Sequence, residues 1–326
     1  MAINKKPIAI TGASGLIGSH LLPVLLENGY HLRVLSRRLQ KYSSGIIQII
    51  GDIRSARAVR DLIQGCNAVI HLAGVAHTSL RSQAEMDEAE GINVEGARNV
   101  LAAAQDAGVE RVLLASSAHV YAGQEGIGLD EHSSTSGDSF YARTKLMVEQ
   151  AGLEAASANH LAVVIVRPCL TYGPRVRFNL ESLMRAIHGH YYFGVRGTSP
   201  MRSFLSVGNA ASAIAHLSQV GENGSIYNLA DQFPMPLTEF VNSLADHMQV
   251  SRPRNLPMFS IRAAISGMAP LRWMGLRSPI NRESLRKLIV SFTLDVNALA
   301  ASGFRWSDDG QVTRKRMVDA YLRSRE

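Results

Sequence analysis

Cysteine is scarce in this chain: Cys66 and Cys169 are the two among 326 residues. Neither lies in a C-x-x-C or other metal-ligand spacing, which excludes a disulfide scaffold and a zinc knuckle; both thiols are expected as small core residues in a reducing compartment. His71 and His77 have no carboxylate or cysteine constellation around them, so no metal is expected. Long apolar runs are missing too. The best candidate, residues 261–276, is interrupted by Arg262, Pro270 and Arg272, so no membrane partner is expected. The apolar residues 8–10 run straight into a glycine loop and read as a strand rather than a signal peptide, which makes the expected location cytoplasmic. Acidic residues are in deficit: 27 against 34 lysines and arginines, a formal charge of +7. The basic residues are dispersed, with no aromatic-interleaved stripe, so nucleic acid is not an expected partner. The excess charge is either a solvated surface or an attraction for an anionic cofactor and substrate.

What is present is a globular composition, 46% hydrophobic, with short Val/Ile/Leu runs alternating with helical periodicity. The pattern predicts strands over residues 8–11, 31–36, 46–50, 68–73, 111–116 and 161–167. It predicts helices over 16–28, 56–64, 93–107 and 141–159. Such alternation defines an α/β fold with a doubly wound parallel Rossmann sheet. After Pro168 glycines and prolines break the pattern, and a strand–helix–strand look returns over 204–230. The expected organisation is therefore a dinucleotide-binding domain, 1–167 with 204–230 returning to it, and a smaller C-terminal substrate lobe, 168–203 and 231–326.

Thr11-Gly12-Ala13-Ser14-Gly15-Leu16-Ile17-Gly18 follows the first strand and opens the first helix. Glycine permits the tight turn at Gly12, the approach of a pyrophosphate at Gly15 and close helix packing at Gly18. The helix N-terminus offers N–H groups and a favourable dipole to phosphates, which places Ser14, Leu16 and Ile17 beside a cofactor. At the end of the second strand an acidic residue would hold the ribose hydroxyls of NAD. Ser36-Arg37-Arg38 stands there instead. Guanidinium forks match a 2′-phosphate, so NADP(H) is favoured and NAD(H) possible, unless the arginines are simply surface residues of a loop. Asp52 and Ile53, after the third strand, suit contact with the adenine.

Tyr141 and Lys145 are four residues apart on a predicted helix and share a face. A free phenol is a poor base at neutral pH, and a neighbouring ammonium would lower its pKa. The fifth strand ends in Ala115-Ser116-Ser117-Ala118-His119, at the carboxyl edge where open α/β sheets bind ligands, so Ser117 is placed to hydrogen-bond a reacting oxygen.

Taken in order, these segments and the runs H-L-A-G at 71–74, N-V-E-G at 93–96, S-S-A-H-V-Y at 116–121 and R-P-C-L-T-Y-G-P at 167–174 resemble the extended short-chain dehydrogenase/reductases, specifically their nucleotide-sugar epimerase/dehydratase/reductase group. The resemblance implies Ser117, Tyr141 and Lys145 as a catalytic triad. It implies Leu72, Ala73, Gly74, Ala115 and Pro168 beside the cofactor, with Lys145 on the nicotinamide ribose and Asn93 supporting the site. It also implies Asn179 and Arg202, with Arg286 as a weaker candidate, at the diphosphate of a nucleotide-sugar substrate; a surface salt bridge is the alternative for Arg202. A homodimer through 93–107 and 141–159 is a further expectation.

The family's dehydratases carry an Asp-Glu pair after the catalytic Ser/Thr, where this chain has Ala118 and His119, so a 4,6-dehydratase is not expected. His119 could contact the sugar or be a wall residue. The leading expectation is NADP(H)-dependent reduction of a 4-keto group on a nucleotide-linked hexose. The alternatives are a 4-epimerase with tightly bound NAD, a reductase of a non-nucleotide ketone, and an idle dinucleotide sensor.

Overall fold

The computed structural model describes residues 6–75, 82–121, 123, 125–158, 161–261, 286 and 288–325. His77 and the stretch 262–276, singled out above, lie outside the described residues.

The N-terminal part alternates strands and helices: β1 (Ile8–Thr11), α1 (Leu16–Glu27), β2 (Leu32–Ser36), β3 (Ile46–Ile50), α2 (Ala56–Ile63) and β4 (Ala68–His71). Then come α3 (Gln83–Glu90), α4 (Gly96–Asp106), β5 (Arg111–Ala115), β6 (Gly126–Leu129), α5 (Phe140–Ser157) and β7 (Ala162–Pro168). The chain continues through β8 (Leu170–Tyr172), α6 (Asn179–His188), β9 (Gly194–Val195), β10 (Met201–Arg202), β11 (Phe204–Ser206), α7 (Val207–Val220) and β12 (Ile226–Leu229). Among the described residues, seven strands form one sheet in the order β12-β7-β5-β4-β1-β2-β3, all neighbours parallel. The central strands are buried on both faces, which their unbroken aliphatic sequences require. One apolar cluster packs α1 and α7 on one face and another packs α2, α4 and α5 on the other. The sheet is thus α/β and doubly wound, and β12 brings part of the later chain back to it.

A third cluster lies apart, built from Tyr172, Leu180, Met184, Phe204, Phe240 and Met317. It joins α6 to the helices Leu237–His247 and Gly310–Arg323. Phe204 and Phe240 stack at 4.0 Å with Tyr172 edge-on to both, a geometry aromatic quadrupoles favour. The carboxyl edge of the sheet faces the segment that starts this cluster, residues 170–180.

The helix expected over 93–107 starts earlier. α3 begins at Gln83 and is made of polar residues, Q-A-E-M-D-E-A-E. Its start is set by a capping box in which Ser82 and Glu85 bond each other's backbone amides. Hydrophobic periodicity begins only near Ile92, so a reading based on burial missed the exposed first turns. Between α3 and α4 the chain makes one π-helical turn, Gly91–Glu95. That extra residue per turn rotates Asn93 inward.

His71 ends β4 fully buried, with Nδ1 2.7 Å from the Thr11 hydroxyl of the adjacent strand. Burial, aided by the charge of Lys145, lowers its pKa from 6.5 to about 3. Below 6.5 the unfolded chain takes up a proton that the folded chain refuses until about pH 3, so stability is lost as pH falls through that window. In urea titrations, His71→Gln is expected to flatten the loss of unfolding free energy between about pH 7 and pH 5. An unchanged slope would show that His71 is not held neutral.

Candidate active site

The turn after β1 closes with the Gly15 amide donating to the Gly12 carbonyl at 2.9 Å. Gly12 has φ +73°, and a Cβ there would lie 2.6 Å from the Ala73 amide nitrogen. Any side chain would therefore push the loop off β4. At Gly18 a Cβ would collide with the backbone of Gly12 and Ala13, so α1 packs against its own entry loop. Gly15 is the N-cap of α1 and no side chain caps it. The first-turn amides are left to face the cleft, which is the arrangement that receives a phosphate. The glycine cradle and the uncapped helix fit a dinucleotide.

A cleft of about 1170 Å³ runs along the carboxyl edge of the sheet. Its cofactor-side wall contains Gly12, Ser14, Gly15, Leu16, Ser36, Arg37, Arg38, Asp52, Ile53, Leu72, Ala73, Gly74 and Pro168. Ile17, Ala115 and Lys145, also expected there, are not among the lining residues. Ile17 packs against the apolar core, Lys145 is buried and Ala115 is half-buried. Asp52 is joined to Arg54 by two side-chain bonds, at 2.8 and 2.9 Å. These bonds hold its carboxyl down at about 2.

Ser117, His119 and Tyr141 line the same cleft. Ser117 is 6% exposed and caps a single 3₁₀ turn by accepting from the His119 amide. Its hydroxyl lies 3.2 Å from His119 Nδ1 and also bonds Tyr141. His119 stands edge-on to Tyr141, with ring centroids 5.8 Å apart. It is thus packed against two expected triad members, as a wall that touches both. Ser139 caps α5 just before Tyr141.

One turn further along α5, Lys145 Nζ lies 5.9 Å from the Tyr141 ring centroid and donates to the Ala115 carbonyl at 2.7 Å. Burial lowers the Lys145 pKa from 10.5 to about 8, and the charge of Glu149 works against that fall. Burial also raises Tyr141, while its bond to Ser117 pulls the other way. Asn93, turned in by the π-helical turn, accepts from Val75 N at 2.7 Å and donates to Thr144 Oγ1 at 3.0 Å. It ties the loop after β4 to α5 between Tyr141 and Lys145.

On the open side of the cleft the expected residues separate. Asn179, at the start of α6, is a lining residue; Arg202 and Arg286 are not. Arg202 lies on β10, half-buried between β13 (Met235–Pro236) and the strand Phe292–Leu294. Arg286 forms an ion pair with Glu125 at 2.6 Å. On this side, away from Arg37 and Arg38, the guanidinium groups that line the cleft are Arg175 and Arg177, which the sequence reading passed over. Arg175 and Phe178 both have positive φ, +70° and +59°. Such backbone costs about 1–3 kcal/mol per residue and concentrates at ligand sites. Gly173-Pro174 just upstream was the available signal for an irregular, exposed loop. Among the described residues no group of three or more His, Cys, Asp or Glu could hold a metal. No described helix is long and apolar enough to cross a membrane.

A dinucleotide cradle beside a Ser–Tyr–Lys arrangement defines a nicotinamide-dependent oxidoreductase of the short-chain type. Residues 8–230 match the NAD dependent epimerase/dehydratase family, and the chain belongs to that family. It is thus an NAD(P)-dependent enzyme of the extended short-chain dehydrogenase/reductase type. It is 30% identical to a 4-hydroxy-2-methyl-3-oxo-4-farnesyl-3,4-dihydroquinoline-1-oxide ketoreductase of Stigmatella aurantiaca, over 95% of this chain and 94% of that one. It is 25% identical to an N-acetyl-alpha-D-glucosaminyl-diphospho-ditrans,octacis-undecaprenol 4-epimerase of Escherichia coli O157:H7, covering 91% and 89% of the two chains. Among solved structures, MoeE5 in complex with UDP-glucose and NAD is similar, with TM-score 0.77, 25% identity and coverage of 98% and 100%.

Replacing Tyr141 by Phe removes one oxygen and keeps the ring packing. Turnover is expected to fall by about 10²–10⁴-fold with cofactor affinity retained. Because Lys145 carries its charge only below about 8, kcat/KM of the wild type is expected to decline as pH rises through that value. A flat profile from pH 7 to about 9.5 would remove Lys145 from the protonic chemistry.

Proposed function

We propose that this enzyme uses NADPH to reduce a ketone on a diphosphate-linked sugar, with the 4-keto position of a nucleotide-linked hexose as the leading candidate. The observation that carries this reading is the cofactor end of the cleft, where Ser36, Arg37 and Arg38 stand and the end of β2 brings no carboxylate. A 2′-phosphate is an acceptable guest there. Ala118 and His119, in place of an acidic pair after Ser117, support simple reduction over dehydration.

In this reading a bound nicotinamide supplies the hydride to the carbonyl carbon. Tyr141 gives its phenolic proton to the carbonyl oxygen, and Ser117 donates a hydrogen bond to that oxygen. Lys145, fixed by the Ala115 carbonyl, lends positive charge to the phenolate that remains. Arg175, Arg177 and Asn179 at the N-terminus of α6 bind the diphosphate, since two guanidinium groups and free helix amides suit that charge.

A 4-epimerase with tightly held NAD is the second reading. It draws support from the Escherichia coli relative and from the NAD named with MoeE5. The Stigmatella aurantiaca relative supports reductase chemistry on a non-nucleotide ketone, whereas the paired arginines at the open side of the cleft support an anionic substrate.

Dissociation constants for NADPH, NADH, NADP and NAD separate the first two readings, with cofactor content as purified. NADPH preference in a protein isolated empty is the expected result; NAD carried through purification sinks the reductase. For the substrate, Arg175→Ala with Arg177→Ala is expected to raise KM for a nucleotide-linked ketosugar by about 10–100-fold with kcat changed little. Unchanged KM would move the diphosphate elsewhere.

A further inference from the structure

β3 reads Ile46-Ile47-Gln48-Ile49-Ile50. A half-buried amide in the middle of a β-branched run weakens the strand unless it is needed for its bonds. Gln48 has three. Its Nε2 donates to the Ser36 hydroxyl at 2.5 Å and to the Arg38 carbonyl at 2.8 Å. Its Oε1 accepts from the Gln40 amide at 3.2 Å. Both amide hydrogens and the carbonyl are therefore engaged, all by the turn that follows β2. Ser36 adds a bond from its own hydroxyl to the Arg38 carbonyl at 3.3 Å. The Ser36 hydroxyl is thus occupied in shaping the turn. The turn leaves the β2–β3 ladder at Ser36, so Gln48 supplies the bonds that the ladder no longer provides. Arg37, Arg38 and Gln40 of this turn line the cleft at its cofactor end.

We infer that Gln48 is a positioning residue for cofactor specificity: by pinning residues 36–40 it sets how strongly the enzyme discriminates a 2′-phosphate from a 2′-hydroxyl. The side chain acts through the turn and touches no cofactor atom itself. A guanidinium recognises a phosphate by geometry as well as charge, and long exposed arginine side chains lose less freedom on binding when their backbone is already fixed. The hydroxyl of NAD(H) depends far less on that placement. The inference builds on the proposed contact between this turn and the 2′-phosphate.

The test is a pair of affinities, for NADPH and NADH, measured by fluorescence titration on the full-length wild type, Gln48→Met and Gln48→Glu. Gln48→Met keeps the length and bulk of the side chain and removes all three bonds. It is expected to weaken NADPH about tenfold while NADH stays within about twofold. Gln48→Glu keeps the acceptor for Gln40 but cannot donate to Arg38, and adds negative charge beside the arginines. It is expected to reduce NADPH affinity further and leave NADH little changed. Equal weakening of both cofactors, or no change in either, overturns the inference, because a merely structural role would not alter their ratio. The wild-type ratio by itself judges the NADPH reading, so the two ideas fail separately.

Discussion

A buried ion pair holds α5 against the carboxyl edge of the sheet. Arg167, near the end of β7, donates from Nε and one terminal nitrogen to both oxygens of Glu149 on α5, at 2.9 and 2.8 Å, and both side chains are about 5% exposed. Two charges at that depth are tolerable only with their remaining valences filled. Ser116, just past β5, donates to the same carboxylate. The other guanidinium nitrogen donates to the Tyr121 hydroxyl and the Glu131 carbonyl, each at 3.1 Å. Tyr121 passes the network on to Asn228 on β12, which reaches the carbonyls of Leu129 and Asp295. Breaking one partner would strand the other, whereas the satisfied network fixes helix, strands and the start of the distal region in one geometry.

The candidate chemistry depends on that geometry. Lys145 is one turn from Glu149 on the same helix, and Tyr141 one turn further. Ser117 directly follows the Ser116 that Glu149 holds. A shift of α5 by a fraction of a turn would separate Tyr141 from Ser117 and pull Lys145 off the Ala115 carbonyl. The strand order adds the cofactor's place. β1 has β2 on one side and β4 on the other, and the chain reverses its winding there, which opens the crevice that the glycine loop borders. The glycine cradle and the candidate proton-transfer groups are thus positioned by different parts of the fold, the first by the turn after β1 and the second by α5 and the end of β5.

Some of this was legible in residue order. The strand–glycine–helix passage at residues 8–18, the four-residue spacing of Tyr141 and Lys145, and the serine at the end of the fifth strand are local signals, because loop, helix face and strand end are each set by neighbours in sequence. The exposed helix at Gln83–Glu90 was not, since its polar residues leave no periodic trace and only its cap marks its start. Arg175 and Arg177 were also passed over. Their approach to the cleft depends on positive-φ backbone in an irregular loop, and arginines in such a loop look like any solvated surface. Arg202 shows the reverse case: its family-like position suggested a diphosphate, yet a strand places it outside the cleft lining.

The sequence by itself determined the α/β class, the cofactor loop and the helix face that carries Tyr141 and Lys145. These follow from backbone sterics and from periodicities that act over a few residues. Only the tertiary structure decided that Glu149 pairs with Arg167, that Asn93 turns inward, that Gln48 ties down the turn bearing Arg37 and Arg38, and which arginines reach the cleft. Each of these depends on groups that meet across distant strands and helices, and long-range pairing of polar side chains leaves no periodic mark in the order of residues.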